Sequence, residues 1–258
     1  MHLHDSPELS IIIPLFNEEW RFTRTCRALE RFAAAHLVSS FEVVCVDDGS
    51  RDKTAELVSL FAPHFPSVRL VSHSRNRGKG AAVKTGMLAA RGKWRLVVDA
   101  DMATDLLELR KCIPALEAGA PVVIGSRRRA GALVRVHQPR LREVLGGVYT
   151  RLANFFTRAD VSDFTCGFKV FSAHAAKQIF SHAVVERWSY DAEILFLARY
   201  LSFSITEVPV VWHNDGATRV RLWRDAPRAF FDLLLIRVYA WTGRYDARID
   251  DGATNREW

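Results

Sequence analysis

Five short runs rich in β-branched apolar residues recur through the first half of the chain, at residues 10–16, 41–46, 68–71, 95–98 and 122–124. Runs that stay apolar without alternating are buried on both faces, as happens when helices cover both sides of a parallel sheet. Helical periodicity fills the intervals at residues 19–36, 52–62, 81–90 and 104–117. Asp52 and Thr104 stand where N-caps belong, and Gly92 and Gly119 where helices stop. Strand alternating with helix predicts an α/β fold built on a mainly parallel sheet flanked by helices. The second half is less regular. Helices are expected at residues 141–157, 173–180, 190–200 and 225–239, a strand at 204–211, and loop and strand between 160 and 171.

The chain of 258 residues, 49% hydrophobic and 25% charged, fits one globular domain without repeats or low-complexity tracts. Lys and Arg outnumber Asp and Glu by 36 to 29, with the excess gathered at residues 127–129, 135–151 and 219–228. Such a field attracts anions, and nucleic acid, an anionic membrane and phosphorylated substrates all suit it. Cys26, Cys45, Cys112 and Cys166 form no CxxC pair and read as reduced core thiols of a cytosolic protein. The polar start and the short apolar run after it do not read as a secretory signal. The apolar stretch at 229–241, interrupted by Asp232 and Arg237, falls short of the ~20 residues a membrane span needs.

Open parallel sheets bind ligands outside the carboxyl ends of their strands, and each expected strand is followed there by a polar motif. Asn17-Glu18 follows the first, Asp47-Asp48-Gly49-Ser50 the second, Arg75 to Gly80 the third, Asp99-Ala100-Asp101 the fourth and Gly125-Ser126-Arg127 the fifth. Asp99 and Asp101 are two apart, so an extended backbone turns both carboxylates to one side, where they can hold Mg²⁺ or Mn²⁺. A solvated strand end carries the same pair. Asp47 and Asp48 can accept hydrogen bonds from a base and a ribose, and the alternative is a turn with a helix cap. The segment 75–80, with Lys79, can wrap a phosphate at a helix N-terminus, although it is neither a Walker A loop nor a dinucleotide fingerprint. Arg127 and Arg142 can grip a phosphate bidentately, and Arg128 and Arg129 read equally well as solvated surface.

Residues 11–19, 46–54, 76–80 and 98–101 together resemble the successive signatures of the family 2 glycosyltransferases, enzymes of the GT-A, Rossmann-like fold. Residues 99–104, 163–171, 185–193 and 207–243 narrow the resemblance to dolichyl-phosphate β-glucosyltransferases and bacterial polyprenyl-phosphate relatives. It implies metal-dependent, inverting transfer of a hexose, glucose from UDP-glucose, onto a polyprenyl phosphate. It also implies that Pro14, Asn17, Glu18, Asp47, Asp48 and Lys79 hold the nucleotide, and that Asp99 and Asp101 hold sugar-diphosphate and metal. Arg127, Arg142 and Arg219 would then meet phosphates. Asp191 joins the catalytic set as a carboxylate that orients the acceptor or the arginines. For Asp191 and Glu193 the alternatives are a helix cap and an exposed helical residue.

Met102-Ala103-Thr104 stands where dolichyl-phosphate mannosyltransferases carry a glutamine, which turns the expectation from GDP-mannose toward the glucosyl branch. The N-terminal membrane helix of the eukaryotic glucosyl enzymes has no counterpart in the sequence, so another surface is expected to meet the lipid. The expected division is a flexible start at 1–8, a catalytic domain at 9–212, a basic amphipathic segment at 213–245 and a flexible tail at 246–258. The third part interleaves aromatic residues with arginines, as a helix lying in an anionic membrane interface does, and the alternative is a helix packed on the core. The expected location is the cytoplasmic face of a membrane, without crossing it. Nucleic-acid binding rests on charge alone and is not expected beside an acidic site. A sugar-phosphate nucleotidyltransferase needs a glycine-rich basic loop after the first strand, where Phe16-Asn17-Glu18 stands instead.

Overall fold

The computed structural model describes residues 6–65, 67–136, 140–213 and 222–246, with the backbone alone at 140–142 and 222–227. In chain order the elements are β1 (Leu9–Leu15), α1 (Phe22–Ala34), β2 (Phe41–Asp47), α2 (Thr54–Phe61), β3 (Val68–Ser72), α3 (Lys79–Ala89), β4 (Trp94–Val97), α4 (Leu109–Glu117) and β5 (Val122–Ser126). There follow β6 (Leu133–Val136), α5 (Arg140–Thr157), β7 (Lys169–Ser172), α6 (Ala173–His182), α7 (Tyr190–Tyr200), β8 (Ile205–Pro209), β9 (Val211–His213) and α8 (Leu222–Trp241). The expected ends at 1–8 and 246–258 fall mostly outside the described residues, as does Arg219.

Seven strands form the main sheet in the order β3-β2-β1-β4-β7-β5-β8, and β6 pairs with β9 in a small second sheet. Every neighbouring pair in the main sheet is parallel except those of β7, which runs antiparallel to β4 and β5. Successive residues of one strand feed opposite cores. Ile12, Val44 and Val97 join the cluster on one face, while Ile11, Ile13, Val43 and Leu96 join the cluster on the other. That is the physical reason the runs are apolar without alternation.

Helix α3 lies tight on this sheet because Gly86 has no side chain: a Cβ there would fall 2.4 Å from Ile12 Cγ2. Two expected caps differ. Asp52 Oδ1 accepts from Thr54 N at 3.0 Å at the start of α2. Before α4, by contrast, a 3-10 turn at Leu106–Glu108 is capped by Asp105, whose carboxylate accepts from Leu107 N at 2.9 Å, while Thr104 bridges to Trp212. The strand expected at 204–211 is two strands, parted at Val210, whose N–H reaches Ser126 O at 3.2 Å.

Candidate active site

The carboxyl ends of β1 to β5 reach one edge of the sheet, and the antiparallel β7 begins at that same edge. The loop after β1 is stitched to the loop after β2. Asn17 takes a left-handed φ of 50°. Its N–H donates to Ser50 Oγ at 2.9 Å, and its Oδ1 accepts from Arg51 N at 2.8 Å. Glu18 N donates to Thr54 Oγ1 at 2.7 Å, and the Glu18 carboxylate meets Arg21 at 3.2 Å. Pro14 stands half-buried near the end of β1, and Asp47 accepts from Ser50 N at 3.3 Å.

The Asp48 carboxylate, which the sequence assigns to the nucleotide, is engaged by the loop before α3. Oδ1 accepts from Arg77 N at 2.9 Å and lies 2.8 Å from His73 Nδ1, while Oδ2 accepts from Gly78 N at 2.7 Å and Asn76 Nδ2 at 2.8 Å. A carboxylate offers about four acceptor sites, and here the loop before α3 takes them all. Asp48 therefore shapes that loop and delivers Lys79 to the first turn of α3. Gly78 permits the approach: its φ is +120°, and a Cβ there would meet Glu186 O at 2.5 Å.

Lys79 Nζ lies 2.6 Å from Asp99 Oδ1. Burial works against the ammonium, but the charges of Asp99, Tyr190 and Asp191 outweigh it and hold the group well above the usual lysine range. Asp99 sits against a glycine: a Cβ on Gly167 would fall 2.2 Å from Asp99 Oδ2. Although the spacing predicts an extended chain through Asp101, the chain does not stay extended there. β4 ends at Val97, Met102 N returns to Asp99 O at 3.0 Å, and Met102 adopts φ 51°. Asp101 therefore lies in a turn and accepts from Ala103 N at 3.0 Å. The turn is fixed to α1 by Thr25 Oγ1, which donates to Ala100 O at 3.1 Å.

These residues fit a divalent cation in one respect: Asp99 Oδ1 is a buried carboxylate oxygen whose counter-charge is the Lys79 ammonium. Hard cations take such carboxylate oxygens. No group of three or more His, Cys, Asp or Glu gathers among the described residues. A cation held by Asp99 and Asp101 would complete its shell from water and substrate phosphates, as Mg²⁺ commonly does.

Arg127 is committed to a carboxylate already. Its Nε and Nη2 donate to Asp163 at 2.7 and 2.8 Å, its backbone N–H donates to the same side chain at 3.0 Å, and its guanidinium lies over Trp212. Arg128 and Arg129 are exposed, and the side chain of Arg142 lies outside the described residues. Asp191 is buried at the start of α7 and pairs with Lys169 at 2.5 Å. Glu193 is buried as well, which excludes the alternative of an exposed helical residue. It accepts from Val184 N, Val185 N and Tyr245 Oη at 2.8 to 3.0 Å, and ties the segment before α7 to the end of the chain described.

Asp163, Gly167 and Lys169 were not singled out from sequence. The available signal was a lysine in the apolar stretch Phe168-Lys169-Val170-Phe171, where a charge is out of place unless paired. Three acid–base pairs, Asp99 with Lys79, Asp163 with Arg127 and Asp191 with Lys169, thus meet along this edge.

The family model described as Glycosyl transferase family 2 matches residues 10–180. The chain belongs to glycosyltransferase family 2. The match runs from β1 nearly to the end of α6, and takes in every site residue named above from Pro14 to Lys169. Among relatives, this glycosyltransferase is similar to the dolichyl-phosphate beta-glucosyltransferase ALG5C of Trichomonas vaginalis, at 34% identity over 93% of this chain and 73% of the relative. The human dolichyl-phosphate beta-glucosyltransferase is 32% identical over 93% of this chain and 79% of its own length. In fold, the family 2 chain resembles glucosyl-3-phosphoglycerate synthase of Mycobacterium tuberculosis, crystallised with Mn²⁺, uridine-diphosphate-glucose and phosphoglyceric acid. The TM-score is 0.64 at 17% identity, over 93% of this chain and 80% of that one. The mannosyl-3-phosphoglycerate synthase of Rubrobacter xylanophilus gives 0.63 at 18% identity, over 97% and 76%.

Proposed function

We propose that this family 2 glycosyltransferase moves glucose from UDP-glucose to a polyprenyl phosphate, with inversion at the anomeric carbon and with Mg²⁺ or Mn²⁺. The observation that carries the reading is the half-buried Asp99–Lys79 pair at the sheet edge, beside a loop organised by Asp48. The names of the relatives supply the sugar and the acceptor.

An oxygen of the acceptor phosphate attacks the anomeric carbon, the bond from that carbon to the diphosphate oxygen breaks, and its electron pair leaves with UDP. A bound divalent cation supplies positive charge at the leaving diphosphate. Lys79 adds a fixed positive charge there, and Asp99 and Asp101 hold the donor. Pro14, Asn17, Glu18, Asp47 and the loop shaped by Asp48 enclose the nucleotide. The acceptor is anionic at neutral pH, so the reaction needs little proton transfer, and positioning and charge stabilisation supply most of the rate. Asp191 orients the acceptor, Arg142 and Arg219 draw its phosphate in, and Arg127 adds its charge from its pair with Asp163.

Residues 9–212 carry this chemistry and residues 213–245 meet the membrane. One face of α8 packs on the core through Leu233 and Ile236, while Phe230, Phe231, Leu234, Val238 and Trp241 stay exposed beside Arg228 and Arg237. Helix α5, which packs on α8, extends that surface with Val144, Val148 and Phe155. No helix among the described residues is long and apolar enough to cross a membrane. An apolar face flanked by arginines suits the headgroup region of an anionic leaflet. The cytoplasmic side fits four free cysteines, of which burial pushes the Cys45 and Cys112 thiols up to about 12.

Two measurements test this reading. In an assay with labelled nucleotide sugars and polyprenyl phosphate, label is expected in lipid from UDP-glucose at least ~10-fold faster than from UDP-galactose or GDP-mannose. Equal transfer from GDP-mannose would remove the glucosyl assignment. The chain is also expected to float with anionic vesicles at low salt and to detach as salt screens the arginines. The paired substitution Phe231→Asp and Trp241→Asp should abolish flotation and leave transfer in detergent intact. Flotation unchanged by that pair would place the membrane surface elsewhere.

A further inference from the structure

Lys169 has no exposed surface, although it lies in the interior of the seven-stranded sheet, paired in register with Val97 of β4 and Ile124 of β5. Burying an ammonium and a carboxylate together seldom stabilises a fold more than apolar residues of the same shape would. The pair of Lys169 with Asp191 therefore calls for a reason other than stability.

The ammonium bridges two walls of the site. It donates to Cys166 O at 2.6 Å, and Gly167, the next residue, is the glycine that lies against Asp99. It also donates to Asp191 Oδ1 at 2.5 Å, at the start of α7. The first residue of α7, Tyr190, abuts the start of α3, where a Cβ on Gly80 would fall 2.7 Å from Tyr190 Cβ. Lys79 Nζ stands 5.7 Å from the Tyr190 ring. One buried cation thus ties the floor beneath Asp99 to the Asp191 carboxylate, whose charge also acts on Lys79 and Arg127.

Resting on the transfer reaction proposed above, we infer that Lys169 is a positioning residue that fixes Asp191 relative to Asp99, so that acceptor phosphate and anomeric carbon meet in line. Lys169 itself has no exposed surface and acts through Asp191. A merely structural lysine would lower stability and impair donor binding and turnover together. A positioning lysine lowers turnover, because Asp99 and Lys79 still hold the donor.

The full chain carrying Lys169→Met, Asp191→Asn or both is assayed for kcat, for KM toward UDP-glucose and for its melting curve. Lys169→Met is expected to cut kcat about 100-fold, the scale of a misplacement of about 1 Å, with KM within about two-fold. The double variant is expected to be no slower than the worse single one, because residues acting as a unit are not additive. Should Lys169→Met fail to fold with Asp191 left unpaired, the double variant, neutral at both positions, is compared with Asp191→Asn and is expected to match its kcat. Folded Lys169→Met within about three-fold of the wild-type kcat overturns the inference. So does a double variant about tenfold or more slower than Asp191→Asn. Wild-type protein that binds UDP-glucose and modifies no polyprenyl phosphate overturns the acceptor reading, and this inference with it. Wild-type protein that transfers, with Lys169→Met transferring equally, overturns this inference alone.

Discussion

Alanine in place of Asp101 is expected to lower transfer about a thousand-fold, equivalent to ~4 kcal/mol of lost transition-state stabilisation, while the fold survives. Asp101 is only half-buried, and its carboxylate accepts from Ala103 N within its own turn. The cost of losing that bond is of order 1 kcal/mol, a small part of a domain's stability. Its other proposed duty, holding a cation against the departing diphosphate, has no substitute among the described residues, because no third acidic or imidazole ligand gathers there. Asp99→Ala is a less clean test, since it also leaves the Lys79 ammonium without its 2.6 Å partner. Initial rates with Mn²⁺ and the melting curve of Asp101→Ala check the claim. Activity above a tenth of wild type would take the cation away from Asp101.

Asp163→Ala should have the largest effect on stability. It takes from the Arg127 guanidinium two side-chain hydrogen bonds to a carboxylate only 2% exposed, leaving the bond to Thr165 Oγ1. Removing one partner of a buried pair costs about 3–5 kcal/mol, against a total of roughly 5–15 kcal/mol for a domain. Urea midpoints should fall accordingly. The same pair sets a pH dependence. Burial raises the Asp163 carboxyl, but the hydrogen bonds and charge of Arg127 prevail and hold it below the usual carboxylate range. A depressed folded value stabilises above the unfolded value of about 3.9, and that contribution disappears as pH falls through the lower folded value. The acid limb of wild-type stability should therefore be steeper than that of Asp163→Ala. Identical acid limbs would contradict the pairing.

The first half of the fold was legible because burial on both faces is written into consecutive residues, as in Ile11-Ile12-Ile13, which divide between two cores. The second half was less so for physical reasons. β7 is four residues long, contains a lysine, and enters the sheet antiparallel between β4 and β5, a pairing fixed by residues distant in sequence. β6 is short and mostly exposed, so burial gave it no pattern. At the site, residue types were readable and geometry was not. Asp99 and Asp101 were found by spacing, but the left-handed Met102 turns the chain where an extended one was assumed. The loop-shaping duty of Asp48 has no local signature, because the four donors that engage it come from residues 25 to 30 positions away. Lys169 carries a charge whose partner Asp191 lies 22 positions off, and the Tyr245 hydroxyl that reaches Glu193 lies 52 positions off, beyond any local pattern.

Carbon and phosphorus NMR of the lipid product made from UDP-[1-¹³C]glucose, a polyprenyl phosphate and Mn²⁺ is the most direct test of the proposed reaction. The expected spectrum shows the labelled carbon coupled to phosphorus in a glucosyl phosphate lipid of β configuration, with UDP released in equal amount. An α-linked product would contradict inversion, and free glucose or glucose 1-phosphate without labelled lipid would contradict transfer to a phosphate acceptor.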